Sequence, residues 1–487
     1  MDVLFASAEM SPLAKVGGLG DVAGSLPRAL RQRGANVRVA LPMHSAIDRT
    51  LYTPRKVLDD VKVPWPKGEP RVDVWMTDVR EVPVYLIEHG GYFDRANVYG
   101  FDDDTERFLF FCDALLAAAP HLGFRPEVVH AQDWHSALLL SRLANLASSG
   151  DHHPWLDAGR VYTIHNLALQ GSFDSGFAHQ NRIGASELVA PKGVDPGITY
   201  SAMAQGILHA DRLNTVSDTY AQEILTLEYG AGLDPLLRAR SEALSGIVNG
   251  IDYEEFDPET DPHIAAHYNA GSIAPRAENK RALQVEAGLP SRGETPLFGV
   301  VTRLWAQKGI DLVVEAFDGL LASRDAQLAV LGTGDESVHE SLRALHARYP
   351  DRVKVWLEFN PALGQRVYAG CDVFLMPSRY EPCGLGQLIS LRYGAVPLVR
   401  RTGGLADTVE DASLDLSSGT GFVFGPAEAG ALREACERAT DAYAHREAWM
   451  ALQVRGMRQD WSWARAAGQY IELYNAAVAD RRAASRG

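Results

Sequence analysis

The stretch "AKVGGLGDVAGSLPRAL", Ala14 to Leu30, decides how this chain is read, because it follows the first apolar run and holds four glycines and a single lysine. Two interpretations compete for it. One is a dinucleotide fingerprint, since Gly18, Gly20 and Ala23 satisfy G-x-G-x-x-A. The other is a loop whose backbone amides and lysine meet an anion. The fingerprint needs its first glycine in the tight turn directly after a strand, and an acid closing the second strand to hold a ribose. Here ten residues separate Ser7 from Gly18, and the second strand closes "ALPMH". The dinucleotide interpretation fails on both counts. In the other, "KVGGLGD" runs into a helix N-terminus, where unpaired N–H groups and the helix dipole favour negative charge. On the loop alone, a lysine that is merely solvated fits as well.

Working outward, "DVLFAS" (2–7), the helical spacing of "GDVAGSLPRALRQRG" and the apolar "NVRVALP" (36–42) form a strand, helix, strand unit. The pattern continues through "VPVYLIE" (82–88), a helix over "RFLFFCDALLAAAPHL", a strand in "PEVVHAQD" (126–133), a helix over "SALLLSRLANL" and a strand in "GRVYTIHN" (159–166). Alternation of this kind predicts a mostly parallel sheet covered by helices. After the polar stretch near residue 250 it begins afresh with "PLFGVVTRL" (296–304), "QLAVLGTGD" (327–335), "VKVWLEF" (353–359), "VFLMPS" (373–378) and "VPLVRR" (396–401). Two doubly wound α/β domains follow, and 487 residues are too many for one core. The expected division is 1–248, 249–455 and a C-terminal helix with a polar tail over 456–487.

Composition narrows the partners. Hydrophobic residues at 46% and charged residues at 22% describe a soluble globular chain. The net charge of −15 argues against a general attraction to nucleic acid or anionic lipid, so an anionic ligand needs a local basic cluster. Cys112, Cys371, Cys383 and Cys436 show no C-x-x-C spacing, which argues against a disulfide framework or a zinc site and fits a reducing cytoplasm. The N-terminus does not read as a signal peptide, and no apolar run approaches the roughly 18–20 residues of a membrane span.

The second half supplies the basic cluster. "TRLWAQKG" puts Arg303 and Lys308 just after the first strand of the second domain, at the carboxyl edge where ligands of open α/β sheets bind. Two cations there can neutralise a diphosphate, although separately each is an ordinary surface charge. "PSRYEPCGLGQL" (377–388) sets Glu381 at the mouth of the same edge, with the amides of Cys383, Gly384 and Leu385 behind it. A carboxylate accepts hydrogen bonds from sugar hydroxyls, and amides at a helix start face phosphate oxygens. "RRTGGLADTV" (400–409) reads as a third glycine loop entering a helix.

"KVGGLGDVAGSLP", "VVHAQDWH", "YTIHNLALQG", "NGID", "TRLWAQKG", "SRYEPCGLGQL" and "RRTGGLADTV" together resemble the bacterial glycogen synthases and plant starch synthases, from residue 2 to about residue 475. The resemblance implies the GT-B fold, two Rossmann-like domains facing each other across a deep cleft, with the C-terminal helix crossing back to the first. It implies transfer of glucose from ADP-glucose to the nonreducing 4-hydroxyl of an α-1,4-glucan such as glycogen, with retention, without a metal and without a cofactor. By the same resemblance, Lys15 and the amides of Gly17 and Gly18 approach the donor from the first domain, and Arg303 and Lys308 bind its diphosphate. Glu381 holds glucose hydroxyls, His165 and Asn249 lie near the sugar, and Asp133 lies near the reaction centre. Glu9 matches a carboxylate of the donor or acceptor site, with a purely structural role equally open. Phe359 stands where the family often has a tyrosine that stacks on adenine, and keeps the stacking face.

Two departures bear on donor preference, where UDP-glucose is the alternative. Gly386 replaces a threonine common in bacterial members, and Ile389 occupies the place of the second glutamate of the wider GT-B signature, which this group generally lacks too. A noncatalytic glucan-binding protein of the same fold is the alternative from another class, and the presence of Lys15, Arg303, Lys308 and Glu381 argues against it. "DDD" (102–104) reads as a solvated loop rather than a metal motif, and His152 and His153 have no matching ligand pair. Cys383 has no general base suggested nearby, so its amide matters more than its thiol. Paired carboxylates alone would suit a glycoside hydrolase, but nothing in such a site calls for three cations around a phosphate.

Overall fold

The computed structural model describes residues 1–183 and 200–484 and divides into two units, Met1–Gly250 together with the segment from Trp463, and Ile251–Ser462. The strands in chain order are β1 (Asp2–Ala6), β2 (Asn36–Pro42), β3 (Arg55–Lys62), β4 (Arg71–Val79), β5 (Val82–Glu88), β6 (Val128–Gln132), β7 (Gly159–Ile164), β8 (Ser172–Phe173), β9 (Tyr200–Ser201), β10 (Arg212–Thr215) and β11 (Leu244–Gly246) in the first unit. The second unit holds β12 (Leu297–Val301), β13 (Gln327–Leu331), β14 (Val353–Trp356), β15 (Val373–Met376), β16 (Val396–Arg400) and β17 (Phe422–Phe424).

The main sheet of the first unit runs β11-β10-β7-β6-β1-β2-β5-β4-β3. It is parallel from β11 through β5, as the alternation predicts, and ends in an antiparallel pair, β4 and β3. Strands such as "DVLFA" and "GRVYTI" are almost wholly buried because helices cover both faces. On one face the helices Asp133–Ser149 and Ala202–His209 pack on β6 and β7, and Asp104–Ala118 packs on β3, β5 and the helix Asp133–Ser149, in a core that includes Phe110, Leu139, Tyr162 and Met203. On the other, Gly18–Gln32 and the C-terminal helix Trp463–Ala484 pack through Val22, Leu26, Tyr470 and Tyr474.

The C-terminal helix is therefore part of the first unit's core. Tyr474 Oη lies 2.9 Å from His130 Nδ1, and Asn214 Nδ2 donates to Tyr470 Oη at 3.1 Å. A Cβ on Gly159 would stand 2.8 Å from the backbone of Ala477, so β7 and this helix approach too closely for any side chain there. Residues 485–487 of the expected polar tail lie outside the described residues.

The second unit's sheet runs β14-β13-β12-β15-β16-β17 and is parallel throughout. Both sheets reverse their winding direction once, the first between β1 and β6 and the second between β12 and β15. Loops leaving the carboxyl ends of the two strands at such a point diverge to opposite faces and leave a crevice. The loops after β1, β6, β12 and β15 carry most of the residues singled out in the sequence.

Candidate active site

In the first unit the loop after β1 folds back on its own carboxylate. Glu9 is 1% exposed, and its Oε2 accepts the N–H groups of Val16 at 2.5 Å and Gly17 at 2.8 Å. Its Oε1 accepts the hydroxyl of Tyr99. A buried carboxylate that accepts from this many donors has its hydrogen-bonding capacity met and fixes the path of the glycine loop. The Gly17 amide, expected to approach a donor, is thus engaged by Glu9. The amides of Gly18 and Leu19 donate to no other described residue at the start of the helix Gly18–Gln32. No atom comes within 4 Å of a Cβ built on Gly17 or Gly18, so the space there is open. Lys15 is not simply solvated either, since its Nζ lies 2.5 Å from Asp21 Oδ1 in the first turn of that helix. Burial raises the Asp21 carboxyl above its ordinary range, and Lys15 works against that rise.

At the end of β6, Asp133 opens the helix Asp133–Ser149 with φ +51, a left-handed conformation that Asp and Asn tolerate best among side-chain-bearing residues. The apolar pattern of "PEVVHAQD" extends the strand to this residue, but it is the first of the helix. Its Oδ1 accepts the backbone N–H of His165 at 2.7 Å and of Asn166 at 3.4 Å, which ties the end of β6 to the loop after β7. The group is 7% exposed, and burial pushes its carboxyl up to about 7, the two amides opposing and the nearby Glu9 charge adding to the rise. His165 is held neutral, burial lowering its ring to about 3, and its Nε2 lies 2.8 Å from Gln132 Oε1. Asn249 is buried with its side-chain oxygen unpaired.

In the second unit the loops after β12 and β15 are stitched to each other. Arg379 donates to Ala306 O at 2.8 Å and grips Asp311 with both terminal nitrogens, at 2.8 and 2.6 Å. The Arg379 N–H reaches Gln307 O at 2.8 Å, and Gln307 Nε2 reaches Tyr380 O at 3.2 Å. This lacing brings Lys308 Nζ to 2.5 Å from Glu381 Oε2, which also accepts the Ser378 hydroxyl at 2.9 Å. Glu381 is 5% exposed and Ser378 is buried. Lys308 is thus a partner of Glu381 here, whereas Arg303 is exposed, lies over the Trp305 ring at 4.3 Å and pairs with no carboxylate among the described residues.

Behind Glu381, Gly384 takes φ +77 and Leu385 precedes the helix Gly386–Arg392. The amides of Gly384 and Leu385 donate to no other described residue, while the carbonyls of Cys383 and Gly384 both accept from Gln387 Nε2 at 3.0 Å. The third glycine loop has a different use from an open cradle. A Cβ on Gly403 would stand 2.0 Å from Glu381 O, and one on Gly404 would stand 2.2 Å from Cys383 O. These glycines let one backbone lie against another and so support the loop that carries Glu381. Phe359 stands in the loop after β14 and is 83% exposed.

Ser378, Tyr99 and Gln132 were not anticipated. Ser378 lies three residues before Glu381 in a stretch already singled out, which was the one available signal. Tyr99, in "NVYGF", carries no local sign of its contact with Glu9. No group of three or more metal-ligating side chains occurs among the described residues, and no described helix is long and apolar enough to cross a membrane.

Two doubly wound units, each with glycine turns and charged side chains at the carboxyl edge of its winding reversal, have the architecture of a GT-B glycosyltransferase, and comparison with known proteins assigns the chain to that class. The family model described as "Starch synthase catalytic domain" matches residues 2–239, and that described as "Glycosyl transferases group 1" matches residues 284–451. The chain is 42% identical to the glycogen synthase of Moorella thermoacetica, covering 99% of this chain and 98% of the relative. It is 45% identical to that of Anaeromyxobacter dehalogenans, covering 97% and 99%. The catalytic domain of starch synthase IV from Arabidopsis thaliana, solved with ADP and acarbose, superposes with a TM-score of 0.89 at 33% identity, covering 98% of this chain and 99% of that one. The chain belongs to the glycogen synthase family, and it is a hexosyltransferase.

Proposed function

We propose that this chain transfers glucose from ADP-glucose to the nonreducing 4-hydroxyl of an α-1,4-glucan, with retention at the anomeric carbon and without a metal ion. The observation that carries the proposal is the cluster at the winding reversal of the second unit, where a buried carboxylate, Glu381, is fixed by Lys308 and Ser378, while Arg303, in the same loop as Lys308, is exposed and pairs with no carboxylate among the described residues. Breaking the donor's glycosidic bond leaves negative charge on the departing diphosphate and an oxocarbenium-like sugar. Groups aimed at that developing charge lower the barrier most. Arg303 and Lys308 neutralise the leaving diphosphate, and the N–H groups of Gly384 and Leu385 donate to its oxygens. Glu381 orders the glucose hydroxyls through the oxygen that its two partners leave free.

In the first unit, Lys15 and the amides of Gly18 and Leu19 form the open helix start, with Glu9 holding the loop in shape. Asp133 anchors His165, and with Asn249 they orient the sugar. Phe359 offers its exposed ring to the adenine. The starch synthase solved with ADP and acarbose, a nucleotide and a sugar ligand, supports a nucleotide-sugar donor and a glucan acceptor for this chain too. The four cysteines are free and buried, in keeping with a place in the reducing cytoplasm.

The deciding experiment measures labelled glucose entering glycogen from ADP-glucose and, in parallel, from UDP-glucose, each with EDTA present. Transfer from ADP-glucose that survives the chelator and exceeds that from UDP-glucose is the expected result. Preference for UDP-glucose overturns the donor assignment, dependence on added metal overturns the mechanism, and glycogen binding with no transfer from either donor overturns the reading as a transferase.

A further inference from the structure

His165 is held from two sides. Its backbone N–H is anchored on Asp133 Oδ1, and its ring Nε2 lies 2.8 Å from the side-chain oxygen of Gln132. Gln132 closes β6 and is fully buried. Its own backbone is pinned by Ser136, whose hydroxyl accepts the Gln132 N–H at 2.6 Å and lies 2.9 Å from the Gln132 carbonyl oxygen. The side chain therefore reaches His165 from a fixed point.

The Gln132 amide nitrogen is buried and has no partner. An unpaired buried N–H is a standing cost, and a leucine of similar bulk would avoid it. The polar side chain must have a use, and the one group its oxygen meets is the His165 ring. With the amide oxygen turned toward the ring, as here, that oxygen can only accept, and the arrangement then requires the proton on the ring nitrogen facing it; an amide turned the other way would require the opposite tautomer. The other ring nitrogen, Nδ1, has no partner among the described residues.

We propose that Gln132 is a positioning residue that fixes His165 as the Nε2–H tautomer, leaving Nδ1 as a bare acceptor for a hydroxyl of the transferred sugar. The sugar hydroxyl rests on the glucosyl-transfer function proposed above, while the tautomer does not. Burial of the ring keeps it neutral and so keeps the choice between the two tautomers meaningful.

The test is nitrogen NMR of the full-length chain labelled with ¹⁵N-histidine, with the His165 signals assigned by their loss in His165→Asn. The expected wild-type spectrum shows a protonated Nε2 and a bare Nδ1. Gln132→Leu should give mixed tautomers and lower kcat roughly tenfold to a hundredfold, with both substrate KM values within about twofold of wild type. Gln132→Glu, whose carboxylate accepts the same hydrogen bond, should restore the Nε2–H tautomer. A wild-type ring protonated on Nδ1, a mixture in the wild type, or a Gln132→Leu variant with unchanged tautomer and kcat overturns the proposal. Should Gln132→Leu fail to fold, the wild-type and Gln132→Glu spectra decide alone. Absence of transfer from either nucleotide sugar would remove the proposed function and leave the tautomer result standing.

Discussion

Lys308 Nζ lies 2.5 Å from Glu381 Oε2, and the two residues come from loops after neighbouring strands on either side of the winding reversal in the second unit. Both side chains are largely buried, so each compensates the other's desolvation. A base and an acid read separately from the sequence as diphosphate ligand and sugar ligand are, in the structure, one ion pair.

Removing either partner leaves the other buried without compensation. Lys308→Ala and Glu381→Gln should each lower transfer by about 10²–10³-fold, the scale for losing a group aimed at transition-state charge. Ser378→Ala should cost less, because Lys308 still holds the carboxylate. Steady-state kinetics on the three variants checks the order, and a Ser378→Ala defect equal to that of Lys308→Ala would contradict it.

Glu9 is predicted to act through the loop it holds. Glu9→Ala removes the acceptor shared by the partly exposed N–H groups of Val16 and Gly17 and by the Tyr99 hydroxyl, and should destabilise by about 1–2 kcal/mol, the net worth of hydrogen bonds to a charged group. Glu9→Gln keeps one acceptor and should lose less. Denaturant titration measures both, and equal stability in Glu9→Ala and wild type would show that the loop does not depend on this carboxylate.

Asp133 gives a stability dependence opposite to that of a salt-bridged acid. Its carboxyl is raised from 3.8 to about 7, so in that window the folded chain keeps a proton that the unfolded chain has released. Stability falls as pH rises from about 4 to about 7, by about 1.4 kcal/mol for each pH unit across the window. Asn tolerates the left-handed backbone and carries no charge, so Asp133→Asn should gain on wild type in thermal stability as pH rises through this range. Comparing the two proteins cancels His135 and His165, which burial lowers to about 3 and which destabilise in the other direction, as pH falls below 6.5. A difference that stays constant with pH would show that Asp133 is not raised.

Phe359 is 83% exposed, so Phe359→Ala should leave stability within about 0.5 kcal/mol of wild type. Loss of a base-stacking contact, worth about 1–3 kcal/mol, should raise the KM for ADP-glucose. An unchanged donor KM would leave the exposed ring without a role in donor binding.

Gly386, where the family resemblance predicts a threonine, sits in a tight steric setting. A Cβ there would stand 3.0 Å from Phe374 Cε1 and 3.2 Å from Met376 Sδ. Gly386→Thr should destabilise by about 1–3 kcal/mol, as overpacking does. A variant as stable as wild type would mean that these two side chains yield freely.

Several strands were legible almost to the residue. "NVRVALP" and "VPVYLIE" are β2 and β5 as read, because continuous apolar runs flanked by helical spacing are unambiguous in a parallel sheet. Others were overextended by a few residues. "PEVVHAQD" ends at Gln132, since Asp133 already belongs to the helix, and side-chain pattern does not report a change of backbone sign. The antiparallel pair β3 and β4 falls outside the predicted strand–helix alternation, although "RVDVWMTDV" alternates visibly, and the short β10 and β11 have too few residues to show a period.

By itself the sequence determined the two rounds of alternating strand and helix, the glycine turns, and which charged residues follow which strands. Periodicity and turn chemistry are local, so they can be read along the chain. Tertiary structure decided the partners. Glu9 and Tyr99 are 90 residues apart, and Lys308 and Glu381 are 73 apart. Lys308 and Glu381 meet because a crossover places β12 beside β15, and Glu9 and Tyr99 meet because the segments after the parallel strands β1 and β5 leave the same edge of the sheet; strand order is set by how helices pack on the sheet.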